Sequence, residues 1–252
     1  MTLQRTLQLV SLGPIHEPPS DFVRMTDPAG DGFEGVPDPL GSGRTVIRNV
    51  NRSGQSDGHT TLGTGRSLEK GSTSYVAFDW LYQKPEDLQQ TARNLVAQLQ
   101  MDGSPIWAIS TKDGEWQIVD RVGGKDTRTT LGPVPWGRWA YFVVGTRLAD
   151  SDGFVNASWA VDDWPDLAQD ERAFVHVGDT WQGRTGHHTL GQYSAHSGEG
   201  AYTGYFSRFG RDATPEKAID LAGAVTAPTP TPERPTRVEA LAALDLLRRY
   251  VG

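Results

Sequence analysis

The chain has 252 residues, a formal net charge of −7, no cysteine, 29 glycines, 16 prolines, and eight Trp, seven Tyr and eight Phe. That length and aromatic bulk suit one large domain with a sizeable core, or one domain with an appendage. The negative charge excludes general binding to nucleic acid or anionic membrane, and the absence of cysteine excludes disulfides, a thiol nucleophile and Cys-ligated zinc.

No apolar run approaches the ~20 residues needed to cross a bilayer. The opening Met1-Thr-Leu-Gln-Arg5 lacks the charged-then-apolar pattern of a secretion signal, which predicts synthesis in the cytoplasm. Residues 1–44 are polar and rich in Pro and Gly apart from the apolar stretch Leu7 to Leu12. They read as a lead-in strand followed by loops, an N-terminal arm.

From Thr45 to about Asp212 the pattern changes to short alternating segments between turns, at 45–50, 74–82, 95–101, 106–110, 116–120, 139–146, 154–161 and 201–208. Trp139-Ala-Tyr-Phe-Val-Val144 reads as a buried strand from its aromatic and β-branched content. Lys112-Asp-Gly-Glu115 and Asp150-Ser-Asp-Gly153 fall between strands and read as hairpin turns. Asp150 and Asp152 also open like a calcium loop, but the later carboxylates of such a loop are missing. His187 and His188 are adjacent, so on a strand they point to opposite faces and cannot readily share one ion, even with His176 and His196 nearby. The acidic stretch from Asp162 to Glu171 reads as a solvated loop. No phosphate loop, dinucleotide fingerprint or nucleophile elbow is present, so no cofactor and no metal are expected.

Residues 226–235, Thr-Ala-Pro-Thr-Pro-Thr-Pro-Glu-Arg-Pro, form a stiff linker in which proline denies a helix. Beyond it, Val238, Leu241, Leu244, Leu247 and Val251 recur on one face of a helix predicted within 236–252. So short a helix is marginal alone. It docks on a partner or another copy, or it folds back on the domain, and the sequence leaves both open. The recurrence of strands and turns predicts an all-β sandwich or jelly roll over residues 45–225.

Several segments, in order, resemble the β-jelly-roll polysaccharide lyases of the alginate, glucuronan and heparin lyase I type. Gly65-Arg66-Ser67 and Tyr75-Val-Ala-Phe-Asp-Trp80 are similar to that family's Arg-bearing strand and the aromatic strand after it. Val96-Ala-Gln98-Leu-Gln100 followed by Ser104-Pro105-Ile106 resembles its Gln-x-His strand and proline segment. Gly137-Arg-Trp139 to Val144 with Val155 to Trp159, and Leu190-Gly-Gln-Tyr193 with Ala201 to Phe209, resemble its later strands. The resemblance covers residues 45–212 and implies a concanavalin-like, two-sheet jelly roll.

In that family, β-elimination removes the proton beside a uronate carboxyl and expels the 4-linked sugar, which requires a base, an acid and groups that neutralise the carboxylate. The resemblance implies Tyr193 as base or acid, Gln98 as a hydrogen-bond partner of the carboxylate and Arg66 as the neutralising cation. Gln100, Trp107 and His188 are the expected glycan contacts beside them. The chain departs from the family at three places: Gln100 stands for the histidine, Thr189 for a lysine and Ser194 for an arginine. Each departure removes positive or titratable character. By residue type alone, each of these side chains is a packing or surface residue.

Two functions follow as expectations. One is an adhesive component of a larger assembly, a bacteriophage minor tail protein located in the virion tail. It would bind cell-surface glycan through the jelly roll, contact other virion proteins through its C-terminal helix and form a homo-oligomer. The alternative is an active lyase that cleaves a uronate-containing polymer.

Overall fold

A computed structural model describes residues 22–24, 32–51, 59–64, 67–83, 93–101, 104–167, 174–194 and 202–223. The expected lead-in strand at Leu7 to Leu12, the linker at 226–235 and the helix within 236–252 lie outside the described residues.

Among the described residues fifteen strands follow in chain order. The first five are β1 (Phe22–Arg24), β2 (Gly32–Pro37), β3 (Thr45–Asn51), β4 (His59–Thr64) and β5 (Thr73–Tyr82). Next come β6 (Asn94–Met101), β7 (Ser104–Lys112), β8 (Glu115–Asp120), β9 (Thr127–Pro133) and β10 (Trp139–Arg147). The last five are β11 (Gly153–Val161), β12 (Phe174–Gly178), β13 (Gly186–Ser194), β14 (Tyr202–Phe206) and β15 (Phe209–Asp212), followed by one helix, α1 (Pro215–Gly223).

The strands form two antiparallel sheets. One has seven strands in the order β1-β4-β13-β6-β7-β8-β9, and the other has eight in the order β12-β11-β10-β5-β14-β3-β2, with β15 also paired to β5. The expected all-β, two-sheet architecture is present. The sandwich starts before residue 45, because β1 pairs with β4 and β2 with β3. Two of the strands in the expected N-terminal arm therefore belong to the sheets. The expected strand at 201–208 contains β14, and after a break at Ser207-Arg208 a further strand, β15, follows beyond it.

Both hairpin readings hold. Asp113 and Gly114 adopt positive φ of 53° and 77°, and Lys112 pairs with Glu115 across the turn. At the other hairpin Asp150 meets Lys70 and Asp152 meets Arg147 at 2.9 Å, so both carboxylates face cations.

The core between the sheets is aromatic. Phe78 stacks on Phe142 at 5.1 Å between centroids, Trp80 on Phe206 at 5.6 Å, and Trp116 meets Phe142 edge-on at 5.0 Å. The first two pairs lie within the eight-stranded sheet, and Trp116 of β8 reaches from the seven-stranded sheet to Phe142 of β10, an aromatic contact that joins one sheet to the other. α1 covers the far face of the eight-stranded sheet, packing Ala218 and Ala222 on Ala77 and Val143. Gly210 lets it approach, since a Cβ there would strike the Ala218 carbonyl oxygen.

On that same far face lies one buried carboxylate. Asp79 on β5 is fully buried and accepts hydrogen bonds from Ser207 N (2.6 Å), Ser207 Oγ (2.5 Å) and Arg208 N (2.9 Å). The guanidinium groups of Arg44 and Arg208 stand 3.7 and 3.9 Å away, and Arg44 lies over the Trp139 ring. The break between β14 and β15 is thereby fastened to the centre of the sheet. Replacing Asp79 with Ala leaves three donors unpaired and removes the carboxylate beside Arg208, whereas Arg44 keeps Asp38 at 3.0 Å. Chemical denaturation of Asp79→Ala is expected to show a loss of about 3–5 kcal/mol of stability.

Candidate functional site

β6 occupies the centre of the seven-stranded sheet, between β13 and β7. Side chains alternate along a strand, so burial decides which of its residues face away from the core. Ala97, Leu99 and Met101 pack in the aromatic core, which sends Gln98 and Gln100 to the outer face. There the two carboxamides meet, with Gln98 Nε2 donating to Gln100 Oε1 at 2.7 Å. Gln98 is 7% exposed, and Gln100 is more open.

The neighbouring strand repeats the alternation. On β13, His188 and Leu190 point into the sandwich, and His187 and Thr189 share the outer face with the glutamines. Gln98 stands directly opposite Thr189, and Gln100 opposite His187. On the other side Gln98 pairs with Ala108, which pairs with Val119, which pairs with Arg128. One row across four strands thus runs from Arg128 to Gln98, and a fifth strand adds Thr189.

Arg93, just before β6, feels Arg128 as well. Its guanidinium is held below the ordinary arginine range by partial burial, and secondly by the charge of Arg128, while the carboxylate of Asp126 acts in the opposite sense. The sequence gives no spacing signal for this pair, because they meet through folding alone.

Two expected glycan contacts are not on this face. Trp107 and His188 are each 1% exposed and lie between the sheets, with ring centroids 5.8 Å apart. Both are paired with Leu99, so both fall on the core side of the alternation. Their placement is a correction to the sequence reading: these two side chains pack the core, and the histidine on the outer face is His187. The opposed orientation of the two histidines is as the strand geometry required. Among the described residues no group of three or more His, Asp or Glu side chains is arranged to hold a metal ion.

Tyr193 lies on β13, opposite Leu95 of β6 and His59 of β4. Its backbone position is about 10 Å along the sheet from the Gln98 row, three residues at the strand rise. Its side chain lies outside the described part of the structure, as does the whole of Arg66. Between Leu190 and Tyr193 the register shifts by a β-bulge at Gly191 and Gln192. Gly191 has φ of 135°, a conformation that favours glycine. Asn49 Oδ1 of the opposite sheet accepts the Gln192 N–H at 2.6 Å, supplying a partner to an amide at the bulge. The bulge sets which way the chain presents the residues after it, a common use of bulges beside functional sites.

No sequence family and no curated protein matches the chain. Solved structures do. Alginate lyase AlyC3 matches with a TM-score of 0.50 at 10% identity, over 66% of this chain and 74% of that one. A GH131 β-glucanase catalytic domain from Podospora anserina matches at 0.52 and 13% identity, over 76% and 83%. The cellulose-induced protein Cip1 matches at 0.51 and 14% identity, over 77% and 90%. At such identities the likeness shows the fold, a β-jelly roll shared with a polysaccharide lyase and a glycoside hydrolase.

His188 carries a consequence for stability. Its Nε2 is 3.2 Å from Ser74 Oγ of the opposite sheet, and its Nδ1 is buried with no hydrogen-bond partner. Burial, then the nearby charges of Arg211 and His187, pushes its pKa well below the ordinary histidine value. The unfolded chain takes up a proton near pH 6.5 that the folded chain refuses, so its contribution is present above that pH and lost as pH falls. Denaturation across pH 5 to 8 is expected to show stability falling by about 1.4 kcal/mol per unit below pH ~6.5 from this residue. That slope disappears in His188→Leu.

Proposed function

We propose that the chain binds a polysaccharide along the outer face of the seven-stranded sheet, as the glycan-binding part of a larger assembly. The observation that carries this reading is the Gln98–Gln100 pair at the centre of that face. Carboxamides both donate and accept, so a pair held in mutual contact presents an oriented set of groups to sugar hydroxyls and carboxylates. The charges of Arg93 and Arg128, only partly offset by Asp126, favour an acidic chain. The relatives in fold that act on alginate and β-glucan support a glycan as the ligand class.

The setting we favour is a bacteriophage tail, with the protein as a minor tail component that attaches the particle to cell-surface glycan. Its support is the tether-and-anchor pattern of the C-terminal sequence, a Pro-rich linker followed by a five-residue apolar stripe from Val238 to Val251. A truncation ending before Ala227 is expected to keep the jelly roll folded and to lose oligomerisation or docking, measured by light scattering and particle assembly.

A second reading is β-elimination through Tyr193, Gln98 and Arg66. The pairing of β13 with β6 favours it, because that pairing brings the Tyr193 strand beside Gln98. Titration calorimetry against alginate, glucuronan and a neutral β-glucan, with ultraviolet detection of unsaturated product, tests both readings. Binding that falls at least tenfold in Gln98→Ala/Gln100→Ala, with unchanged melting, supports the glycan face. Product formation abolished by Tyr193→Phe would convert the binding reading into a lyase. Equal affinity in the double variant, or no binding to any polymer, would reject the face altogether.

A further inference from the structure

We propose that β12 is a self-association edge, and that the protein forms a twofold dimer in which β12 of one copy pairs antiparallel with β12 of a second. The inference does not rest on the polysaccharide reading. Among the described residues the two sheets end on four strands, β1, β9, β2 and β12. An edge strand leaves one row of backbone N–H and C=O groups without a neighbouring strand, and proteins guard such a row with charge, proline, a bulge or brevity. Three of the four edges carry such guards. β1 is three residues long, β9 contains Arg128, Pro133 and a register shift opposite Trp116 and Gln117, and β2 contains Glu34 and Pro37. β12, Phe174-Val-His-Val-Gly178, has no proline, no carboxylate and no Lys or Arg.

The side chains of β12 identify the occupant. Phe174 turns into the core and His176 turns to Asp120, at 2.7 Å. By alternation Val175 and Val177 stand on the far face, 47% and 64% exposed, and Val177 is the most exposed large hydrophobic side chain among the described residues. The Val122–Gly124 turn bounds the edge at its other end, with the Gly123 N–H on the Asp179 carbonyl. A strand that fits beside Val175 and Val177 has to be apolar on the same face. β12 meets that requirement itself: in the register centred on His176, Val175 falls opposite Val177 of the second copy, and Val177 opposite its Val175. Apolar cross-strand pairs of this kind are what stabilise a sheet. Two chains of net charge −7 repel each other, so they meet best through a neutral segment, and β12 is one. The twofold axis of such a pairing runs perpendicular to the sheet, so both copies keep the same face upward. The two seven-stranded sheets then lie on one side of the joined sheet with their outer faces looking the same way. A polymer that meets one of those faces finds the second within reach.

The test is sedimentation of the full chain over a concentration series, joined to cross-linking. A five-residue edge is small beside the ~1,200–2,000 Å² of a standard interface, so a concentration-dependent monomer–dimer equilibrium is expected. Val175→Lys/Val177→Lys is expected to weaken dimerisation at least tenfold with unchanged melting, because charge on an edge opposes its pairing, while Val175→Ile/Val177→Ile retains the dimer. The chain has no cysteine, so a disulfide forms only where thiols are introduced. Val175→Cys/Val177→Cys is expected to give a covalent dimer on mild oxidation. Each single cysteine variant is expected to give far less, since its thiol lies opposite a valine and out of bonding range of its twin. A chain that stays monomeric at every concentration overturns the inference, and so does a dimer that the lysine pair leaves undisturbed. Single cysteine variants that cross-link as readily as the double variant overturn it too, because the strands would then not pair about His176.

Discussion

The two-residue alternation of β6 and β13, pinned by the aromatic core, is the constraint on which the outer face depends. Leu99, Met101 and Leu190 are committed to the space beneath Trp107, Phe142 and their neighbours. Gln98, Gln100, His187 and Thr189 then have only the opposite side to occupy. A slip of one residue would turn the glutamines into the aromatic core and the leucines out of it, and burial of that much apolar surface forbids it. The polar character of the candidate site is thus a by-product of hydrophobic packing on its reverse. Because β6 has paired strands on both flanks, its position is fixed from two sides, which suits a surface that must keep side chains in register with a ligand.

Regular alternation breaks where the tyrosine strand approaches its end. Gly191 and the Asn49 carboxamide together support a bulge, and the sheet resumes one residue out of step. Asn49 belongs to the other sheet, so the register of Tyr193 is set partly from across the sandwich. A second link of this kind joins Asp120 to His176, 2.7 Å apart, with the Val122 amide also on the carboxylate. Both links are polar contacts between layers otherwise joined by aromatic rings. They constrain how one sheet lies over the other, which ring stacking alone leaves looser.

Much of this was legible in the residues. Trp139 to Val144 declared a buried strand by composition, and Lys112-Asp-Gly-Glu115 declared its turn by the Asp-Gly pair. The opposed faces of His187 and His188 followed from strand period alone. What failed was the choice between faces: His188 and Trp107 were taken for the outer side. In Gly-His-His-Thr-Leu one parity is His187 and Thr189 and the other Gly186, His188 and Leu190, so the signal for the core-facing parity rests on a single leucine. Cross-strand pairing with Leu99 decides it, and pairing is not local. β9, with Thr, Arg and Gly and little apolar alternation, gave no periodic signal. α1 was overlooked although Thr214 and Pro215 open it with an N-cap hydroxyl and a first-turn proline, a start signal that was there to read.

Whole-molecule charge and local charge pull in opposite directions here, and distance decides between them. A net charge of −7 repels an acidic polysaccharide at long range. At physiological ionic strength that repulsion is screened over roughly 8 Å, so it slows the approach of such a chain more than it weakens a chain in contact. Within contact range the relevant charges are those of Arg93 and Arg128, with the carboxylate of Asp126 acting against them. An acidic body with a cationic patch beside its central strands is therefore compatible with an acidic ligand.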